Sequence, residues 1–328
     1  AACTPRTHEP LFRETLKAAG LNEYLVEMAN IRNQNSWVHS GDPVMATAKA
    51  KDLVRMAVAK VDRQVALQPV SVPINQKGLI IGGGIAGMTA ALNMAAQGFE
   101  VDLIEKSDRL GGTALYLSHT WSGEPIQAKT GKLAEAVQQN ENIIVHMGFE
   151  VVEAKGFVGN FTTTISTQDG LARNIDHGIA VVAIGAQALQ PMEYGYGVIP
   201  NVVTALEFDR LHELKEQHVA KAGSFVFIQC VGSREGDRMY CSKVCCTHSV
   251  QSAIALKQED RSRMVYILYR DMRTYGQRET LYKKARELGV VFINYELHGK
   301  PDVSLDKKKV NVEVWDHVLH RPLTIKAD

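Results

Sequence analysis

The chain has 328 residues, of which 45% are hydrophobic and 22% are charged, and its formal net charge is +1. This is the composition of an ordinary globular protein with about two domains. A balance of 37 basic against 36 acidic residues creates no field that would attract nucleic acid or an acidic membrane surface. The longest apolar stretches, Gly78–Gly84 and Ile179–Leu189, are far shorter than the ~20 residues that span a membrane. We therefore expect no nucleic-acid partner and no membrane insertion.

The cysteines are the most informative part of the composition. Four of the five lie within residues 230–246, which favours a metal or redox site in a reducing cytoplasm over a disulfide framework. The fifth, Cys3, has no partner nearby and is expected to be an ordinary buried or chain-end thiol. The sequence starts Ala1-Ala2-Cys3, without an initiator methionine or a signal peptide. We therefore expect a cytoplasmic protein whose native start lies elsewhere.

The first part of the chain predicts helices followed by a linker. Helical patterns cover Pro10–Ala19, Leu21–Arg32 and Ala46–Val65, the last with basic residues on one face. Residues Gln68–Gln76 contain two prolines and no helical period, which is typical of a linker. We interpret residues 1–74 as a partial N-terminal α/β domain and linker.

The remainder predicts two βαβ units in an α/β protein. The first has strands at Gly78–Ile81 and Val101–Ile104 around a helix at Ala86–Gln97. An antiparallel excursion that returns to a buried strand is predicted next, from short runs at Ile143–His146, Gly148–Ala154, Phe161–Ser166 and Ala180–Ile184. The second unit has strands at Ser224–Gln229, Met264–Tyr269 and Val290–Tyr295, and helices at Lys243–Glu259 and Arg278–Leu288. These units define domains at 75–221 and 222–328.

A glycine-rich turn follows the first strand of the first unit. Gly82, Gly84 and Gly87 form a G-x-G-x-x-G, and Glu105 ends the next strand 18 residues after Gly87. In such a turn the first glycine permits the tight bend, the second lets backbone N–H groups approach a pyrophosphate, and the third allows close helix–strand packing. The helix N-terminus favours phosphate, and Glu105 can accept hydrogen bonds from ribose hydroxyls. The alternative is a purely structural turn.

Two later segments favour FAD over NAD. Arg109-Leu110-Gly111-Gly112-Thr113 resembles the second glycine pair of two-dinucleotide-binding flavoproteins, and Val181–Ala186 resembles their later strand-to-glycine motif. We expect the isoalloxazine ring to lie toward Gly111–Thr113. The predicted FAD-binding residues are Gly82, Gly84, Ile85, Ala86, Gly87, Glu105, Lys106, Arg109, Gly111, Gly112, Thr113 and Gly185.

The clustered cysteines are candidate metal ligands. Cys230, Cys241, Cys245 and Cys246 give C-x10-C-x3-C-C, which matches neither the bacterial ferredoxin run nor common zinc patterns. On a helix, Cys241 and Cys245 would share one face, whereas Cys246 could join them only at an irregular backbone or off the helix end. Four thiolates suit a [4Fe–4S] cluster. Structural zinc and inert buried thiols are the alternatives.

Several segments together resemble the A subunit of heterodisulfide reductase. They include Ala2–Pro10, Asn30-Ile31-Arg32 with Ser36–His39, the flavin turn, Arg273–Gly276 and, most specifically, Cys230–Arg234 with Tyr240–Cys246. The resemblance implies a thioredoxin-reductase-like core that binds FAD. It also implies a [4Fe–4S] cluster near the flavin, held by the four matching cysteines, and electron relay among iron–sulfur subunits of a larger complex, with a homodimer of that complex as one arrangement. Some members bifurcate electron pairs at the flavin.

The chain departs from that family at several points. Asn35 stands where relatives often have a cysteine, so we do not expect Cys3 to ligate a cluster. Gln251 stands where many relatives have a lysine near the flavin, which favours simple relay over bifurcation. There is no ferredoxin-like C-x2-C-x2-C and no closing flavin-binding segment, so the chain is interpreted as a fragment at both ends.

Two alternatives of function remain open. One is a stand-alone pyridine-nucleotide disulfide reductase, although such enzymes need a C-x-x-C and a second G-x-G-x-x-G, and the second turn here reads Cys230-Val231-Gly232-Ser233-Arg234-Glu235-Gly236. The other is a non-catalytic, flavin-bearing scaffold. The sequence shows no nucleophile–base pair that would indicate a complete substrate reaction. It therefore predicts an oxidoreductase component that works only within a complex.

Overall fold

A computed structural model describes residues 5–307 and 309–328 of the chain. The prediction for Cys3 falls outside the described residues. The chain divides into two compact units, Ala1–Pro73 and Ile74–Asp328. Among the described helices, none combines the length and the apolar character needed to cross a membrane.

The regular secondary structure in the described part of the first unit is helical. It consists of α1 (Pro5–Ala18), a π-helix (Arg32–Ser36) and α2 (Pro43–Val61), and residues 5–73 contain no strand. α2 begins after Asp42, whose carboxylate accepts a hydrogen bond of 3.0 Å from Met45 N as an N-cap. These residues therefore do not show the α/β character predicted for the N-terminal domain, and the α/β layers belong to the second unit.

The predicted helix Leu21–Arg32 is wrong. Residues 21–30 form turns and irregular structure. Gly20, at φ +74°, ends α1, and Leu21 N donates to Leu16 O at 3.0 Å. The Asn22 side chain then accepts a hydrogen bond from Tyr24 N at 3.0 Å, an Asx turn that competes with a new helical turn.

The second unit begins with a parallel α/β layer. Its elements are β1 (Gly78–Ile81), α3 (Ile85–Ala95), β2 (Val101–Glu105), a 3₁₀ helix (Gly112–Tyr116), α4 (Gln127–Gln138) and β3 (Ile143–Met147). A hairpin sheet of β4 (Glu150–Phe157), β5 (Asn160–Ser166) and β6 (Ala172–His177) follows, and β7 (Ile179–Val182) returns to the parallel sheet. The sheet order is β3-β2-β1-β7, with every pair parallel.

Burial explains why this layer forms. Ile80 of β1, Met88 of α3 and Leu103 of β2 are fully buried together, so apolar strands and a helix face close one core. Two predictions need correction. The strand at Ile143 belongs to the parallel sheet, and β7, at one of the two edges of that sheet, is mostly exposed. Edge strands bury less side-chain surface than central ones, and period alone does not show the difference.

The second α/β layer lies further along the same unit. After α5 (Ala205–Glu213) and α6 (Gln217–Lys221), it contains β8 (Ser224–Ile228), α7 (Cys245–Glu259), β9 (Met264–Tyr269), α8 (Glu279–Glu287) and β10 (Val291–Asn294). The strands form a parallel sheet in the order β10-β9-β8. An antiparallel sheet of β11 (Asp302–Asp306), β12 (Lys309–Asp316) and β13 (Arg321–Ala327) ends the chain, and the sequence patterns did not predict it.

Candidate functional site

The glycine-rich turn lies at the carboxyl end of β1, where two of its glycines are required by the fold. Gly82 has φ +109°, and a Cβ there would lie 2.4 Å from Ala183 O, in the segment after β7. A Cβ on Gly87 would lie 1.8 Å from Gly82 O, because α3 packs directly onto the turn. Both contacts are with backbone that cannot move aside, so these glycines shape the turn itself.

Neither the backbone conformation nor the packing of the chain requires a glycine at position 84. It is the N-cap of α3, with φ −75° and ψ −178°, a conformation open to any residue, and a Cβ would meet nothing within 4 Å. Ile85 and Ala86 follow as the first residues of α3, so their backbone N–H groups are among those without an intrahelical acceptor. The space above Gly84 is therefore open at a helix end that favours anions.

Glu105 ends β2 and is almost completely buried beside the turn. Its Oε2 accepts a hydrogen bond of 2.7 Å from Gly83 N, and its Oε1 accepts from Ser107 N at 2.9 Å and Ser107 Oγ at 2.8 Å. The carboxylate thus orients the turn, and the free lone pairs of its oxygens leave capacity for ligand hydroxyls. Gly83 was not predicted; a Cβ there would lie 2.9 Å from Glu105 Oε2, and its only signal in the sequence is the unbroken run of three glycines.

The second glycine pair packs on the first. Gly111 N donates to Gly83 O at 2.8 Å, and a Cβ on Gly112 would lie 3.1 Å from Gly84 Cα. Both residues have positive φ, +123° and +55°, and Gly112 opens the 3₁₀ helix that includes Thr113. The structure therefore brings the two predicted glycine segments into contact at the carboxyl end of β1.

The remaining residues predicted to bind the dinucleotide are Lys106, Arg109 and Gly185. Lys106 and Arg109 are exposed, and the Arg109 guanidinium lies 6.0 Å from the Tyr116 ring centroid. Gly185, at φ +62°, follows β7 and so lies at the same carboxyl edge of the sheet as the turn. β1 lies between β2 and β7, so the strands that follow β1 in the chain lie on both sides of it. Open α/β sheets bind ligands at the carboxyl ends of the strands where the strand order reverses in this way.

The cysteine block begins directly after β8. Cys230 follows that strand with φ +61°, and the Tyr295 hydroxyl donates a hydrogen bond to the preceding carbonyl, Gln229 O. Arg234 Nη1 lies 3.7 Å from Cys230 Sγ, and Arg234 also has positive φ, +62°. In the second sheet, the block occupies the position that the glycine-rich turn occupies in the first.

Cys241 is not helical, which corrects the predicted helix Lys243–Glu259 and the shared helix face of Cys241 and Cys245. α7 starts at Cys245, after Lys243 adopts φ +62°. Cys241 Sγ instead accepts a hydrogen bond of 3.3 Å from Lys243 N. The left-handed residue ends any helical path between the two cysteines, so Cys245 and Cys246 lie at the N-terminal end of α7.

The pKa values of Cys245 and Cys246 are shifted in opposite directions. The hydrogen bond from the Cys246 thiol, helped by the Ser242 hydroxyl and backbone N–H groups at the start of α7, lowers the pKa of Cys245 to about 6. The same contact, together with burial, raises the pKa of Cys246 above its usual value. The start of α7 therefore favours the thiolate form of Cys245.

The four sulfurs do not surround a single point. Within residues 5–307 and 309–328, no three His, Cys, Asp or Glu side chains lie close enough together to hold one metal ion. All four cysteines are free thiols. The corners of a cubane cluster stand further apart than the ligands of one zinc ion, and thiolates are the ligands that such clusters require. The donor set fits a cluster chemically, and its ligation remains a prediction.

The comparisons with known proteins agree with the fold and the turn. Residues 80–131 match the family described as an NAD(P)-binding Rossmann-like domain. A crystal structure of Lactococcus lactis thioredoxin reductase superposes with a TM-score of 0.50 at 18% identity, covering 77% of this chain and 75% of that one. The chain therefore has a thioredoxin-reductase-like α/β fold.

The sequence relatives are more specific. Over 92% of its length the chain is 33% identical to an iron-sulfur A subunit of CoB–CoM heterodisulfide reductase from Methanopyrus kandleri. Over its whole length it is 31% identical to the iron-sulfur A subunit of the corresponding reductase from Methanocaldococcus jannaschii. The chain is therefore similar in sequence to the A subunits of heterodisulfide reductases, which confirms the predicted resemblance. It spans 59% and 64% of the length of these two relatives.

Proposed function

We propose that the chain binds FAD at the glycine-rich turn, holds a [4Fe–4S] cluster on Cys230, Cys241, Cys245 and Cys246, and relays electrons between them. A flavin exchanges electrons singly or in pairs, and a cluster exchanges them singly, so together they connect two-electron and one-electron chemistry. This role is that of an oxidoreductase component which works within a complex of the heterodisulfide-reductase kind.

One observation carries the flavin assignment. Gly84 alone among the three glycines of the fingerprint is required neither by backbone conformation nor by packing. A residue without a side chain at an open helix N-terminus is explained by a ligand that must approach the backbone there. The turn would bind the pyrophosphate through N–H groups at the start of α3, and Glu105 would accept from the ribose.

The relay is supported by a segment that touches both layers. Residues 117–126 follow the second glycine pair and its 3₁₀ helix, and they reach the layer that contains the cysteines. Ser118 Oγ lies 3.4 Å from Asp209 O in α5, and the Arg278 guanidinium lies 5.8 Å from the Trp121 ring centroid. A Cβ on Gly123 would lie 3.7 Å from the amide nitrogen of Gln251, in the helix that begins with Cys245.

The partners follow from the names of the relatives. Those proteins are components of CoB–CoM heterodisulfide reductases, and two are named as iron-sulfur subunits. The proposed partners are therefore other iron–sulfur subunits of such a complex, and a homodimer of the whole assembly is one arrangement that the proposal includes. Within it, Gln251 places a neutral amide where a cation would otherwise favour an anionic reduced flavin, so we propose simple relay without bifurcation.

The test is the cofactor content of the protein purified without oxygen. FAD, iron, acid-labile sulfide and zinc are measured in the wild type, Gly84→Ala and Cys245→Ser, with Gly131→Ala in α4 as a control glycine that also has open space. We expect Gly84→Ala to lose only flavin, Cys245→Ser to lose iron and sulfide together, and Gly131→Ala to lose nothing. Zinc without iron in the wild type, or full flavin retention in Gly84→Ala, would contradict the proposal.

A further inference from the structure

Arg234 connects two segments that carry the cysteines. Its Nη1 lies 3.7 Å from Cys230 Sγ, and its Nη2 donates to the Asp271 carboxylate in the loop after β9. The backbone carbonyl of the same Asp271 lies 3.7 Å from Cys246 Sγ. One guanidinium therefore links the cysteine after β8 to the residue that contacts the cysteine in α7.

The position of Arg234 is fixed by its surroundings. Its backbone has φ +62°, its N–H donates to Arg238 O at 2.6 Å, and its carbonyl accepts from Arg270 Nη1 at 3.2 Å. Its side chain is only 16% exposed, so little water separates the charge from the sulfur. A guanidinium has planar, fixed donors and is always charged, which allows it to bind a carboxylate and a sulfur at the same time.

The charge and the contact have a direct redox consequence. An electron added to a metal centre is stabilised by nearby positive charge and by hydrogen bonds to its sulfur ligands. The Asp271 carboxylate cancels part of the arginine charge, but the guanidinium stands between it and Cys230, so the positive end of the pair faces the sulfur. The arrangement favours the reduced state of whatever centre Cys230 ligates.

We propose that Arg234 is a positioning residue that raises the reduction potential of the centre held by the cysteine block and fixes the turn at Cys230. The inference rests on the cluster assigned under the proposed function. It concerns electron affinity alone: one electron enters the oxidised cluster, no bond forms or breaks in the protein, and Arg234 keeps its proton. Neither the glycine-rich turn nor the cysteine pattern indicates such a role for this arginine.

The experiment is a redox titration of the anaerobic protein, followed by the electron paramagnetic resonance signal of the reduced cluster. Arg234→Gln removes the charge, Arg234→Lys keeps it without the forked geometry, and Arg238→Gln removes an equal charge from an exposed position on the same turn. We expect a shift to more negative potential for Arg234→Gln, a smaller shift in the same direction for Arg234→Lys, and the wild-type value for Arg238→Gln.

Iron analysis separates this inference from the proposed function. If the wild type contains no iron, the cluster assignment itself has failed. If the wild type and Arg234→Gln contain equal iron and have the same potential, the role of Arg234 is refuted although the cluster stands. If Arg234→Gln does not retain iron, the cluster potential of Arg234→Lys is the deciding measurement. A potential equal to that of Arg238→Gln would refute the inference.

Discussion

Gly83 donates a backbone hydrogen bond of 2.7 Å to the carboxylate of Glu105, which joins the glycine-rich turn after β1 to the end of β2. The acidic residue expected to face the ribose therefore also holds the turn in shape. Loss of Glu105 would affect the folded protein before any ligand binds, and the two effects are separable.

Glu105→Ala should lower both stability and flavin affinity. It leaves the N–H groups of Gly83 and Ser107 without their acceptor, at a cost of about 1–3 kcal/mol in the free energy of unfolding. Glu105→Gln keeps an acceptor and should lose less. Denaturant unfolding of the flavin-free protein measures the first effect, and a flavin titration of the folded variants measures the second. Equal stability of Glu105→Ala and the wild type would contradict the structural role.

Gly84→Ala and Gly87→Ala should fail in different ways. Gly84→Ala adds a methyl group to open space, so the unfolding free energy should stay within about 0.5 kcal/mol of the wild type while flavin is lost. Gly87→Ala places a methyl group 1.8 Å from Gly82 O, and such overpacking costs about 1–3 kcal/mol or more. Thermal unfolding and flavin content of the two variants check this; a destabilised Gly84→Ala would show that the glycine serves the fold.

Asp102 should make the protein sensitive to acid. It lies on β2 and pairs with His146 of β3 and Lys77 beside β1, at 2.6 Å each, which ties together three segments of the sheet. Burial would raise the pKa of Asp102, but the hydrogen bonds from His146 and Lys77 outweigh it and hold the pKa below its usual value of 3.8.

A carboxyl group with a depressed pKa stabilises the fold at higher pH, and this contribution is lost as pH falls through its folded-state value. The unfolding free energy should therefore fall more steeply below pH ~4 in the wild type than in Asp102→Asn. Asp169→Asn, at an exposed position, is the control. Parallel pH profiles for the wild type and Asp102→Asn would be the contrary result.

Gln251 should leave the proposed complex as a simple relay. With one donor and both a high-potential and a low-potential acceptor, anaerobic turnover of the purified complex should reduce the acceptors independently. Gln251→Lys tests the electrostatic reason, because a cation on α7 would stabilise an anionic reduced flavin. Strictly coupled reduction of both acceptors by the wild type would refute simple relay.

The sequence predicted the strands of the parallel layers well, and it predicted the N-terminal helices and the last antiparallel sheet poorly. β1 and β9 have the predicted bounds, because continuous apolar runs flanked by turn residues are typical of central strands. The helix expected at Leu21 failed because a local side-chain turn at Asn22 replaced it. β12 alternates buried and exposed residues and pairs with its neighbours along the chain, β11 and β13, yet the sequence analysis did not predict it.

The site likewise has features that the sequence predicted and features that it did not. Glycine spacing predicted the turn, because Gly82 and Gly87 meet geometric requirements of the fold that a residue with a side chain would not meet. The cysteines were recognisable as a set, but the backbone between Cys241 and Cys245 was not, because it depends on the left-handed conformation of Lys243, a residue type that rarely adopts it. Arg234 was not predicted as a functional residue because its partner Asp271 lies 37 residues away along the chain.

The proposed relay requires that one chain passes electrons between a flavin and a cluster. The most direct test is rapid anaerobic reduction of the flavin in the purified protein, with the flavin followed by visible absorption and the cluster by electron paramagnetic resonance. We predict that the signal of a reduced cluster appears as the flavin is reoxidised, and that Cys245→Ser keeps the flavin but loses this signal. A flavin that is reduced and reoxidised in the wild type without any cluster signal would contradict the proposed relay.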